Sequence, residues 1–129
     1  MGLQTFDEKV PVLQWQEWQP SDTTGIRTIV LYPVDHVRLD SIMASNNDTV
    51  DHVLQFWLTI QGADRLVGSV TIPTGAGYGA VKSVDILALM LPSGVSGLVL
   101  PANTALRANP IVAVSGSAQI NVYALGGVV

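Results

Sequence analysis

The stretch VLQFWLTIQ, Val53 to Gln61, alternates without a break, with Leu54, Phe56, Leu58 and Ile60 on one side and Val53, Gln55, Trp57 and Thr59 on the other. A period of two belongs to an extended chain, and a helix would scatter these apolar residues around its circumference. The stretch therefore reads as a strand with one face in a core. After Gln61 to Asp64, RLVGSVTIP repeats the pattern, with Leu66, Val70 and Ile72 inward and Arg65, Val67, Ser69 and Thr71 outward. The short connection makes the two a β-hairpin.

Further β-rich runs follow the same spacing of about ten residues: TIVLY, VRLDSIMAS, SVDILALML, GLVLP, TALRA, IVAVS and QINVYAL. About eight or nine strands in roughly a hundred residues leave no room for helices of ordinary length. The expected fold is all-β, a two-sheet antiparallel sandwich of jelly-roll type over residues 28–129. The segment 81–91 reads as strand or loop ahead of a short helix, although Val81, Val84, Ala88 and Leu91 also suit a helical face. The expected core comprises Phe56, Leu58, Val70, Ile72, Val112, Val114, Ile120 and Val122. Alternation leaves Trp57, Val67 and Leu125 on outward faces.

Residues 1–27 differ. They contain Pro11, Pro20 and several glutamines, show no sustained period, and read as an extended N-terminal arm. Within the arm, VLQWQEWQPSD holds Trp15 and Trp18 three residues apart among glutamines. An indole left in water exposes a large apolar area, so something has to cover these rings. Two covers are open: a groove of a neighbouring subunit, for which tryptophan is the usual anchor, or the chain's own sandwich.

Composition bears on partners. Only six basic and ten acidic residues occur among 129, for a net charge of −4, about half the usual charged share. A surface so poor in charge suits burial against neighbours. The basic residues Lys9, Arg27, Arg38, Arg65, Lys82 and Arg107 are scattered, so no nucleic-acid partner is expected, because a phosphate backbone calls for clustered cations. There is no cysteine, which removes disulfides and thiolate metal sites, so stability has to come from burial or assembly. The start MGLQTFDEKV has no apolar h-region, and the longest apolar run, Ile86 to Leu91, is far short of the roughly 18 residues that span a bilayer. Synthesis in the cytoplasm and no membrane partner are expected.

Motifs that tempt a chemical reading resolve into structural ones. VDHV occurs twice, offering Asp35, His36, Asp51 and His52 as metal ligands. Adjacent residues of an extended chain point to opposite faces, so each Asp–His pair cannot converge on one ion, and no metal is assigned. TGAGYGA, Thr74 to Ala80, lacks the glycine spacing of a dinucleotide site and the lysine of a P-loop, and reads as a mobile surface loop with Tyr78 at its tip. SGVSG, Ser93 to Gly97, resembles a nucleophile elbow only loosely, and no base is placed for Ser96. The carboxylates Asp35, Asp40, Asp48, Asp51, Asp64 and Asp85 fall mostly at expected turns, where capping is their common work. No catalytic residue and no cofactor are expected.

The stretch LPANTALRANPIVAVSGSAQINVYALGG, Leu100 to Gly127, resembles the C-terminal half of small virion proteins of tailed bacteriophages and gene transfer agents. In these an L-P-A-x-x-x-L-R strand precedes a Ser/Ala-rich hairpin and a final strand ending in a Gly pair. With the Gly-rich loop and VDIL, the likeness covers Val50 to Val129. It implies a non-enzymatic structural role on the virion, as a capsid decoration or cement protein whose partners are a major capsid protein and copies of itself, as a homotrimer. The partner-binding candidates are Trp15, Trp18, Trp57 and Tyr78. The alternative is a carbohydrate- or receptor-binding sandwich of a tail fibre or neck component, with Trp57, Tyr78 or Tyr123 stacking on sugar rings.

Overall fold

The computed structural model describes residues 10–79, 81–95 and 97–129. The strands in chain order are β1 (Pro11–Trp18), β2 (Arg27–Val30), β3 (Val37–Asn46), β4 (His52–Ile60), β5 (Ala63–Ile72), β6 (Val84–Asp85), β7 (Leu98–Leu100), β8 (Ala105–Pro110) and β9 (Ile120–Val128). A short helix, α1 (Ile86–Met90), separates β6 from β7.

The strands form two antiparallel sheets. Sheet A runs β1-β9-β3-β6, with β7 also on β3, and sheet B runs β2-β8-β4-β5. The pairing is nested. β1 pairs with β9, β2 with β8, β3 with β6 and β7, and β4 with β5, which is the pattern of one long hairpin rolled over on itself. Two further pairings, β3 with β9 and β4 with β8, close the roll. This is a jelly roll, as the strand spacing led one to expect.

The β4–β5 hairpin is tighter than its sequence suggested. Ile60 pairs with Ala63, and the two residues between, Gln61 (φ 53°) and Gly62 (φ 79°), both have positive φ. Such a turn matches the twist of the flanking strands. A register shift between Phe56 and Trp57 then interrupts the ladder, and on its turn side Leu66, expected inward, pairs with the outward Trp57 and is exposed.

The core lies between the sheets, and Phe56, Val70, Ile72, Val114, Ile120 and Val122 are buried in it. Leu58 is partly buried against that core. Val112 is not in it: it is 61% exposed, because β8 ends at Pro110 and residues 111–119 form a loop instead of the expected strand. Proline has no N–H to continue a ladder, and it closes the strand there.

Two further expectations are corrected. Residues 86–90 are helical, and Asp85 caps them by accepting a hydrogen bond from Ala88 N–H (3.4 Å). A capping carboxylate at the first turn favours helix over strand. The second correction concerns the arm. Over its described part it belongs to the sandwich, since β1 pairs along its whole length with β9, and β2 begins at Arg27, inside the proposed boundary. Val12 and Trp18 enter the core. Between them the inward positions hold Gln14 and Gln16, whose side chains cross to the neighbouring edge strand: Gln16 Nε2 donates to the Thr28 carbonyl (3.0 Å) and Leu31 N–H donates to Gln14 Oε1 (3.3 Å). Glutamines at inward positions hid the period, and they satisfy groups of an edge strand that would otherwise be open to pairing. Residues 1–9 of the arm lie outside the described residues.

β9 sits between β1 and β3 at van der Waals limits. A Cβ on Gly126 would lie 1.9 Å from the Arg38 carbonyl oxygen, where β3 shifts register between Leu39 and Ser41. Only glycine fits under that bulge.

Candidate functional site

The three tryptophans, expected to act alike at interfaces, have three different fates. Trp18 is fully buried, and its Nε1–H donates to the Gly25 carbonyl (3.0 Å), where the chain returns from a single 3-10 turn at Pro20–Asp22. Its bulk and its polar handle are both used inside the subunit, so it has no surface to offer a partner. Trp57 is half-buried on the outer face of sheet B, and its Nε1–H donates to Asn109 Oδ1 (2.7 Å). Trp15 is 59% exposed.

Strand register places Trp15 in company. On the outer face of sheet A, the partners across β1, β9 and β3 form rows: Pro11–Gly127–Arg38, Leu13–Leu125–Ser41, Trp15–Tyr123–Met43 and Glu17–Asn121–Ser45. Directly opposed side chains on one face of a sheet lie within contact reach. The third row is thus an indole, a phenol ring and a thioether side by side, all exposed at their outer surfaces. Leu13 is equally exposed in the adjacent row. An open groove of about 420 Å³, lined by Leu13, Gln14, Trp15, Thr28, Ile29 and Leu31, continues this surface around the β1 edge.

Tyr78 lies elsewhere. It is exposed on the loop after β5, whose backbone is held to the end of β3: Asn46 N–H donates to the Ala76 carbonyl (2.9 Å) and Gly75 N–H to the Asn46 carbonyl (2.8 Å). Thr74 N–H donates to Asp51 Oδ1 (2.8 Å). The loop expected to be free at the surface is pinned at its start. The four partner-binding candidates therefore do not converge. Trp15 is the one that joins an exposed apolar face, and the residues that complete it are Leu13, Met43 and Tyr123. Met43 was hidden because the bulge at Asp40 shifts the phase of β3.

A second cluster, buried and polar, joins three loops at one end of the sandwich. Asp48 accepts hydrogen bonds from His52 Nε2 (2.7 Å), Ser115 Oγ (2.7 Å), Ser115 N–H (3.0 Å) and Thr49 N–H (2.7 Å). Asn46 donates to the Val50 and Ile72 carbonyls (3.0 Å each) and accepts from Asp48 N–H (2.9 Å). The His52 bond, then the Ser115 hydroxyl and the backbone donors, hold the Asp48 carboxyl far below the ordinary carboxylate range against the opposing effect of burial. Serine, aspartate and histidine are together, but in an order that does not make a nucleophile. Asp48 stands between the other two, whereas a reactive serine needs the imidazole between hydroxyl and carboxylate. The cleft beside it, about 330 Å³ and lined by Asn47, Asp48, Thr49 and residues 115–118, meets a carboxylate whose lone pairs are already spent. This cluster ties loops together.

The VDHV pairs do not meet. His52 is in the buried cluster, while His36 is exposed, its Nδ1 accepting from Ala102 N–H (3.3 Å). Among the described residues, no group of three or more His, Cys, Asp or Glu side chains is placed to hold a metal ion. Ser96 lies outside the described residues. No helix of the described residues is long and apolar enough to cross a membrane. In comparisons with known protein families and with curated proteins, no match to the chain was found.

Proposed function

We propose that this jelly roll is a non-enzymatic virion structural protein, a capsid decoration or cement protein that binds copies of itself and a major capsid protein at the head surface. The observation that carries the reading is the outer face of sheet A, where Leu13, Trp15, Met43 and Tyr123 stand together in water. Contiguous apolar surface of this kind marks an interaction site. Support comes also from the nested strand order, an architecture used by viral capsid domains among others, and from the likeness of residues 50–129 to small phage virion proteins. Cosedimentation with purified phage heads tests the proposal. Saturable binding that raises the heat stability of the heads is the expected result, and Trp15→Gln should reduce it. Failure to bind any head tested, with the protein folded, would remove the decoration role.

A second reading has its own observation. Trp15 and Tyr123 are cross-strand neighbours with Glu17 and Ser45 in the next row, so aromatic faces adjoin polar groups as a sugar ring requires. A receptor-binding module of a tail fibre or neck would use that pair. Binding on a glycan array that disappears with Trp15→Ala would favour it.

A further inference from the structure

We infer that the outer face of sheet A seats a second copy of this chain, face to face, about a two-fold axis that lies in the face and crosses β9 between Tyr123 and Leu125. The inference deepens the assembly reading, but it concerns the free protein and requires no capsid.

Three observations carry it. The first is area. Leu13, Trp15, Met43 and Tyr123 are all exposed, and at 150–250 Å² for each fully exposed aromatic ring they leave on the order of 400 Å² of apolar surface uncovered. A standard interface takes about 800 Å² from each partner, and homodimer interfaces are about 65% apolar. The patch has the size of one such core.

The second is the distribution of charge. Within the three strands β1, β9 and β3 the apolar rows are flanked at diagonally opposite corners by Glu17, at the end of β1, and Arg38, at the start of β3, while Asp85 of β6 stands beside Met43. Glu17 has no ion-pair partner among the described residues, and Arg38 pairs there only with Asp40 of its own strand (Nε to Oδ1, 3.0 Å). An isologous contact has to be self-complementary. The proposed axis meets that requirement: it exchanges the two corners, so Glu17 lies on the partner's Arg38 and Arg38 on the partner's Glu17.

The third is relief. The same rotation carries Trp15 towards the partner's Leu125 and the partner's Gly127. The absence of a side chain at position 127 leaves room for an indole there. Strands of the two copies then cross obliquely, as twisted sheets do when they pack.

Sedimentation equilibrium of the free protein over a range of concentrations reads the dimer dissociation constant. Trp15→Gln should weaken dimerisation by about 30-fold or more if the ring is a hot spot, without lowering the melting temperature of the monomer. Glu17→Arg and Arg38→Glu should each weaken it, and the double variant Glu17→Arg/Arg38→Glu should restore it. That recovery is a readout which mere loss of folding cannot mimic. A protein that stays monomeric at its solubility limit overturns the inference. So does a trimer, or a dimer indifferent to all four variants. If such a monomer still binds phage heads, the decoration reading stands and only the two-fold contact is lost.

Discussion

The two outer faces of the sandwich are made from strands of similar length and alternation, yet they treat water differently. On sheet B the outward rows are Leu66–Trp57–Arg107–Thr28, Ser69–Gln55–Asn109 and Asp64–Thr59–Ala105. Their polar groups serve one another. Arg107 Nη1 donates to Asp64 (3.1 Å), Thr59 Oγ1 donates to the same carboxylate (2.5 Å), and Trp57 is held by Asn109. The Thr59 hydrogen bond first, and Arg107 with it, draw the Asp64 carboxyl below its ordinary range. On sheet A, the one ion pair on the outer face among the described residues is Arg38–Asp40, and the middle rows are aromatic and aliphatic. A face whose polar groups are mostly paired within the chain, Arg107 Nε being an exception, gains less from a partner. A face of exposed rings gains by being covered.

The largest expected effect lies between the faces. Phe56→Ala, which opens a cavity in the core that both sheets share, should cost about 3–5 kcal/mol in urea unfolding. A loss below about 1 kcal/mol would mean that β4 is turned over, and the assignment of faces with it.

Next comes the buried polar cluster. Asp48→Ala strands the donors of His52 and Ser115 and should cost about 3 kcal/mol, since each buried donor left without a partner costs about 1–3 kcal/mol. Acid provides an independent check. A carboxyl held below its ordinary range in the folded state adds stability above the unfolded pKa of about 4, and that stability is lost as pH falls below it towards the folded value. Unfolding measured from pH 6 down to pH 2 should therefore show a loss of stability that is shallower in Asp48→Asn. An unchanged pH profile in that variant would show that Asp48 is not the group responsible.

Trp57→Phe tests whether the face of sheet B is satisfied from within. It deletes the bond to Asn109 and should cost about 0.5–1.5 kcal/mol, with no change in self-association. If association weakens instead, the contrast between the faces fails. The smallest effect on stability is expected at Trp15→Gln, within about 0.5 kcal/mol, because the ring touches little of its own core. A loss of several kcal/mol there would make Trp15 a structural residue and leave the face of sheet A without its anchor.

How much of this was legible in the sequence depended on how far each pattern is local. β4 and β5 are neighbours in sequence joined by a two-residue turn, and their alternation announces the hairpin directly. β1 finds its partner in β9, at the other end of the chain, and its inward Gln14 and Gln16 face a second edge strand that no local window contains. Only Val12 and Trp18 were left to signal a core face, so the strand read as an arm. β3 lost its phase at the Asp40 bulge, which concealed Met43. The cluster around Asp48 gave no signal, because Asn46, Asp48, His52 and Ser115 come together only when the loops at one end of the roll are in place. The aromatic face was half visible: Trp15, Tyr123 and Leu125 could each be placed outward or in the open, but their adjacency is a fact of register.

Translation delivers β9 after the other eight strands of the described residues, and β9 is also the strand that stands between β1 and β3. A ribosome-bound chain that has not yet reached Ile120 holds Trp15 and Met43 but has nothing to set them in one row. The aromatic platform therefore cannot form before Tyr123 has been made. Nascent chains that stop short of β9 are kept from engaging through it by the order of synthesis alone, and the surface comes into being only when β9 has entered between β1 and β3.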